Sequence, residues 1–324
     1  SFGPLGAKGF AFLNMLQLIG WTSIMIYDAM LALQELAPLS PMIWTIAIGA
    51  LVILWLFIGL HNTGYIQAIV SVLLLGLTLY MGAHMISQWP SEASLLTSGN
   101  MSFIAALELS IAMPLSWLPL ISDYTRESKN PVSASFTSAT VYTITSIVMY
   151  ALGLSAAIFG GGDSIITIMM NAGLGLAGLI VIIFSTVTTT FMDAYSAGVS
   201  STTIYNGASS KGIAVIVTIV GTIAAILYPM DDITDFLYLI GSVFAPMIAI
   251  LLADYFINRQ QVQTLSAYLV RGLIWALSVG LYHYMLHSES TIGATLPAFT
   301  MAFVVTAIVG FISKTAHTSA EIKQ

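Results

Sequence analysis

The sequence predicts an all-α protein that crosses a membrane many times, and three observations predict it. Apolar runs of spanning length recur from one end of the chain to the other. Charged residues make up only 7% of the chain against 58% hydrophobic. The few basic residues gather on one side of the apolar runs. A soluble domain carries about 25% charged residues, so this composition belongs in lipid.

A helix needs about 20 predominantly apolar residues to cross a bilayer. Runs of that kind lie at Leu5–Leu31, Met42–Leu60, Gly64–Ser87, Met101–Ser122, Phe136–Phe159, Leu174–Ser200, Gly212–Tyr228, Phe236–Ile257, Leu265–Leu286 and Ala294–Ile312. The stretch Asp163–Asn171 is apolar but short, and is expected to lie at the interface or re-enter. No linker or soluble domain interrupts the series, so residues 1–324 read as one transmembrane domain.

The loops test this division. Lys8, Arg126, Lys129, Lys211, Arg259, Arg271, Lys314 and Lys323 all fall on the side that carries Ser1. The alternate loops hold Glu35, Glu92, Asp163, Asp231, Asp232, Asp235 and Glu289 and no basic residue. A missed span would scramble this pattern. By the positive-inside rule both chain ends are expected in the cytoplasm, with the protein in the inner or plasma membrane.

Composition also excludes. There is no cysteine, so disulfides, Cys-bound zinc, iron–sulfur clusters and thiol catalysis are ruled out. A net charge of −6 with no Lys/Arg cluster argues against nucleic acid as a partner. The chain opens on SFGPLGAKGF, which lacks the pattern of a signal peptide and reads as an internal start.

The chain is organised around ELSIAMPLSWLPLISDYTR, Glu108–Arg126. It is apolar enough to span, yet it holds Pro114, Pro119, Trp117 and the acid Glu108. A proline removes a helix hydrogen bond, and in lipid the freed carbonyl must find a partner. A broken helix facing a binding site and a simple proline kink are both open at this point.

In the first span Asn14, Gln17, Trp21 and Asp28 share one helical face. They read either as a stacking platform with Gln17 bonding a planar ligand, or as glue between helices with Trp21 filling space. Asp28 sits towards the outer end, as an entrance or structural residue. In the sixth span Ser185, Thr189, Asp193, Ser196 and Ser200 form a stripe with Thr188 beside it. Hydroxyls suit hard cations, but Ser/Thr also bond back to their own helix. Back-bonding does not explain Asp193, a carboxylate in mid-span that is costly unless it binds a ligand or a proton.

Two patterns are decoys. Gly173-Leu-Gly175-Leu-Ala-Gly178 has dinucleotide-loop spacing, but no strand precedes it and it opens a span. His283 and His287 stand one turn apart without a matching acid, which argues against zinc. At the inner end of the proline span, Asp123, Arg126 and Glu127 read as a topogenic loop end, or as a gate with Asp254-Tyr255 as partner.

At these residues the chain resembles the nucleobase:cation symporter family of the leucine-transporter-type fold. The resemblance rests on SFGPLGAKG leading to Gly20-Trp21, on Ser122-Asp123-Tyr124-Thr125-Arg126, on Thr188-Thr189-Thr190, and on LIGSVFAPMIAILLADYFINR at Leu239–Arg259. Within the family it is most similar to the hydroxymethylpyrimidine (thiamine-precursor) permeases, with cytosine permeases next. The resemblance implies twelve helices in an inverted-repeat fold, of which this chain begins at the third. The first two helices, which help form the cation and substrate sites, are missing, and a molecule without them is expected not to transport. It also implies that Trp21 stacks on the planar base with Gln17 one turn earlier. The stacking aromatic of the family's sixth helix falls near Pro114, and Trp117 lies one turn on. Ser185, Thr188 and Thr189 match the family's sodium ligands. Relatives carry asparagines just after them, where this chain has Thr190, Phe191, Met192 and Asp193.

The expectation is therefore a cation-coupled carrier without cofactor, taking a small nitrogen heterocycle, probed at its edge by Gln17, Glu108 and Asp193. The coupling ion is Na⁺ or H⁺, and the expected state is a monomer in the bilayer. A cytosine, nucleobase or hydantoin permease is the alternative. A membrane enzyme using Glu108 and Asp193 as acid and base would lack a nucleophile or metal set. A channel would need a pore-lining ring of charges or carbonyls. The missing N-terminus leaves a non-transporting receptor or a truncated relic open.

Overall fold

The computed structural model describes residues 1–37, 39–58, 60–87, 101–125, 128–159, 170, 173–259, 264–288 and 291–321. Among them ten helices are long and apolar enough to cross a membrane. They are α1 (Gly3–Leu36), α2 (Pro41–Ile58), α3 (Leu60–Ser87), α4 (Phe103–Thr125), α5 (Pro131–Phe159), α6 (Gly175–Ile204), α7 (Ser210–Leu227), α8 (Ile233–Leu252), α9 (Leu265–His287) and α10 (Thr295–Glu321). Each expected span meets one of them. No strand occurs among the described residues.

Local sequence explains the helix starts. Ser209 accepts the N–H of Gly212, Asp232 that of Asp235, and Thr264 that of Ala267. These side chains satisfy donors that have no partner inside the first turn. Pro41 and Pro131 open α2 and α5, where the missing N–H costs nothing. Asn130 adds a cap, accepting from Ser133 N–H at 3.1 Å.

One expectation is corrected. Pro114 and Pro119 do not break α4, which runs as one α-helix from Phe103 to Thr125. Ser116, between the two prolines, donates to the carbonyl of Met113 at 2.6 Å. Most of the segment 163–171, together with Arg126, Glu127, Glu92, Glu289 and Lys323, lies outside the described residues.

The chain divides into two compact units. The first comprises Ser1–Asn14, Asn100–Leu120 and Asp232–Gln324. Here α8, α9 and α10 approach closely along stripes of small residues: Ala245, Ala249 and Ala253 on α8, Ala294, Ala298 and Ala302 at α10. Small residues let helix backbones meet where no hydrophobic effect drives association. Ala249, Ile250, Ile274 and Ala302 form a core cluster, flanked by Phe2, Trp275, Phe299 and Phe303. The Trp275 indole donates to the Val243 carbonyl at 2.9 Å, in the turn disturbed by Pro246. Helix α8 ends in one π-helical turn, Ala253–Asn258, closed by Arg259 at φ 51°.

The second unit comprises Met15–Gly99 and Ile121–Asp231. Ile26, Ala29 and Leu33 of α1 join Ile48 of α2 and Ala225 of α7 in one core, with Leu179 and Ile183 of α6 against it. Close contacts again fall at glycines. A Cβ at Gly198 would meet the Ser210 backbone oxygen at 2.1 Å, so α6 and α7 touch backbone to backbone there.

Candidate functional site

The second unit holds the α6 stripe. Thr188 and Thr189 both donate to the Ser185 carbonyl, at 3.0 and 2.8 Å. Their hydroxyl protons are thus spent inside the helix. Their oxygen lone pairs still point away from that bond and keep acceptor capacity. One turn further on, Asp193 is 6% exposed. Its carboxylate has no hydrogen-bond or ion-pair partner among the described residues.

Gln17 is buried and Trp21 half-buried, on the same unit. Ile26 shares a core with Ile183.

Pro114 and Trp117 are half-buried on α4. They belong to the first unit with Glu108, whereas Gln17, Trp21 and Asp193 belong to the second.

Glu108 has partners that sequence reading did not anticipate. It is 7% exposed, and its Oε1 accepts the backbone N–H groups of Ala294 and Thr295. These are the first donors of α10, so an acid on α4 caps a helix 186 residues away. The positive end of the helix dipole stabilises the carboxylate. Gly293, at φ +76°, makes room: a Cβ there would meet Glu108 Oε1 at 2.5 Å. Beside this cap lies a cavity of 590 Å³ lined by Glu108, Ser102, Ile104, Tyr238 and Met285.

A second feature that the sequence concealed is a buried ion pair. Arg271 donates from Nε to Asp254 Oδ2 at 2.6 Å and from Nη2 to Oδ1 at 2.8 Å. Asn258 donates to Asp254 Oδ1 at 2.8 Å and to the Thr306 carbonyl at 3.1 Å. Arg271 thus ties the start of α9 to the end of α8, and Asn258 ties that end to the middle of α10. Asp254 is engaged within its own unit, while Tyr255, its neighbour in the expected gate, is exposed. The π-turn gives the signal in hindsight, because it brings Asp254 and Asn258 onto the same buried side. The two histidines behave as ordinary helix residues: His287 Nδ1 meets the His283 carbonyl at 2.7 Å. No metal-binding cluster of His, Asp or Glu occurs among the described residues.

Ten membrane-capable helices, with buried carboxylates at membrane depth, define an all-helical multi-pass membrane protein. Residues 2–322 match the family described as permease for cytosine/purines, uracil, thiamine, allantoin, and the chain belongs to that family. Similar curated proteins are the cytosine permeases of Escherichia coli strain K12, strain CFT073 (O6:H1) and O157:H7. Each is 25% identical over 191 residues, covering 57% of this chain and 45% of the relative. The match thus spans less than half the length of each of these relatives.

Proposed function

We propose that the protein is a secondary-active permease for a small planar nitrogen heterocycle, hydroxymethylpyrimidine in first place. The single observation that carries this reading is Asp193, a carboxylate buried in a membrane-spanning helix with no hydrogen-bond or ion-pair partner among the described residues. An isolated charge there is expensive, and such residues persist where they bind substrate, ion or proton. A ring N–H or exocyclic amino group would supply the missing donor. Trp21 stacks on the ring face with Gln17 one turn earlier, and Trp117, near Pro114 on α4, is a second stacking candidate. Ser185, Thr188 and Thr189 take Na⁺ through hydroxyl and carbonyl oxygens. If the coupling ion is H⁺, Asp193 carries it.

Transport proceeds by alternating access in the inverted-repeat architecture of the leucine-transporter type. The carrier works as a monomer in the inner or plasma membrane, with both ends of this chain cytoplasmic and no nucleic acid as partner. A second reading is a cytosine or other nucleobase permease, favoured by the cytosine permeases among the similar proteins.

Tryptophan fluorescence of the purified full-length protein tests this. Hydroxymethylpyrimidine, cytosine, uracil and hydantoin are each titrated with and without Na⁺. Quenching by hydroxymethylpyrimidine alone supports the first reading, and quenching by cytosine the second. Asp193→Asn is expected to abolish the response. An unchanged response in Asp193→Asn removes the residue on which the proposal rests.

A further inference from the structure

The corner of the first unit where α4 begins, α9 ends and α10 begins holds more oxygen than its fold uses. Glu108 Oε1 receives both backbone donors, while Oε2 takes no hydrogen bond among the described residues. Tyr282 on α9 is 0% exposed and Thr295 on α10 is 4% exposed. Neither hydroxyl meets strict hydrogen-bond geometry with a described residue, but the two lie close enough to interact with each other, within the field of Glu108. The Tyr282 hydroxyl is admitted by Gly241, where a Cβ would meet it at 2.8 Å. Tyr282 packs with Ala294 and Ala298 under Tyr238, Met285 and Leu286. Buried polar groups in native proteins are almost always well paired, so two buried hydroxyls with only each other for company, beside a half-used carboxylate, point to a bound species.

The surroundings say which kind. The 590 Å³ cavity reaches Glu108 and has no Lys or Arg in its lining. An adjoining hollow of 320 Å³ shares Tyr238 and Leu286 and adds Asp235, His283 and His287. The approach is therefore acidic. The α10 N-terminus offsets about half of the charge on Glu108. That leaves a fractional negative charge among neutral hydroxyl oxygens, which suits a hard monovalent cation. A divalent ion would call for further carboxylates.

We propose that Glu108, Thr295 and Tyr282 form an alkali-cation site in the first unit, one that takes Na⁺ on Glu108 Oε2, Thr295 Oγ1 and Tyr282 Oη. It is separate from the Ser185, Thr188 and Thr189 set of the second unit, and it stands whether or not that set binds an ion.

Equilibrium binding of radioactive Na⁺ to the purified full-length protein tests the site. Thr295→Val and Tyr282→Phe remove one oxygen each while keeping the shape, and each is expected to weaken Na⁺ binding about tenfold or more. Thr295→Ser keeps the hydroxyl and is expected to restore binding, which separates a ligand role from a packing role. Thr189→Val, on the other unit, is expected to leave this site's Na⁺ in place. Na⁺ binding that is lost only in Thr189→Val, or no Na⁺ binding by the wild-type protein, overturns the inference and means the corner holds water only. Loss in Thr295→Val and Tyr282→Phe upholds it even if no heterocycle binds.

Discussion

Arg271→Met is the sharpest test of the packing described above. Asp254 accepts from Arg271 Nε at 2.6 Å, Arg271 Nη2 at 2.8 Å and Asn258 Nδ2 at 2.8 Å, with the Ser1 amino group nearby. The substitution removes both guanidinium bonds. It leaves a carboxylate that is 5% exposed without its buried cationic partner. Breaking a buried pair from one side costs about 3–5 kcal/mol, because the remaining charge cannot be rehydrated. Asp254→Asn is expected to cost a similar amount, since it leaves the guanidinium with the Ala267 carbonyl at 3.3 Å and a neutral amide. The double variant removes both charges, and its loss is expected to fall short of the summed single losses by about 2–3 kcal/mol. Denaturant unfolding of the full-length protein in detergent, followed by tryptophan fluorescence, measures all three. Single losses below about 1 kcal/mol, as for an exposed pair, would refute the reasoning. So would strict additivity in the double variant.

Other outcomes follow from the same geometry. Gly198→Ala drives a Cβ to 2.1 Å from the Ser210 backbone oxygen, which no rotamer change relieves. It is expected to cost at least about 1–3 kcal/mol in the same unfolding assay. Gly280→Ala meets nothing within 4 Å and is the control, expected to be neutral or stabilising by up to about 1 kcal/mol. Gly293→Ala is penalised twice, by its φ of +76° and by contact with Glu108. The backbone part alone amounts to about 1–2 kcal/mol, and a wild-type unfolding midpoint would contradict it. Trp21→Ala is expected to weaken heterocycle binding by about 0.5–1.5 kcal/mol beyond lost area, with the unfolding midpoint retained. Unchanged affinity in the fluorescence titration would remove Trp21 from the site.

Much of this protein was legible in the chain alone because the bilayer imposes a local rule. Each crossing needs its own apolar run, so the ten spans could be counted without knowing how they pack. The stripes on α1 and α6 were readable too, because helical periodicity fixes which residues share a face. Asp193 could be singled out by its depth alone. What a side chain meets across helices has no local signature. Arg271 reads as one more basic residue at the inner end of a span, and only the approach of α8 to α9 reveals its carboxylate partner. Glu108 reads as an acid awaiting a ligand, yet it caps a helix that starts 187 residues later. Pro114 and Pro119 read as a break, but a proline helix breaks or continues according to which neighbours supply donors. The chain by itself determined how often it crosses the membrane and which faces are polar. The tertiary structure alone decided which buried charges meet a partner, as Arg271 and Glu108 do, and which, like Asp193, meet none among the described residues.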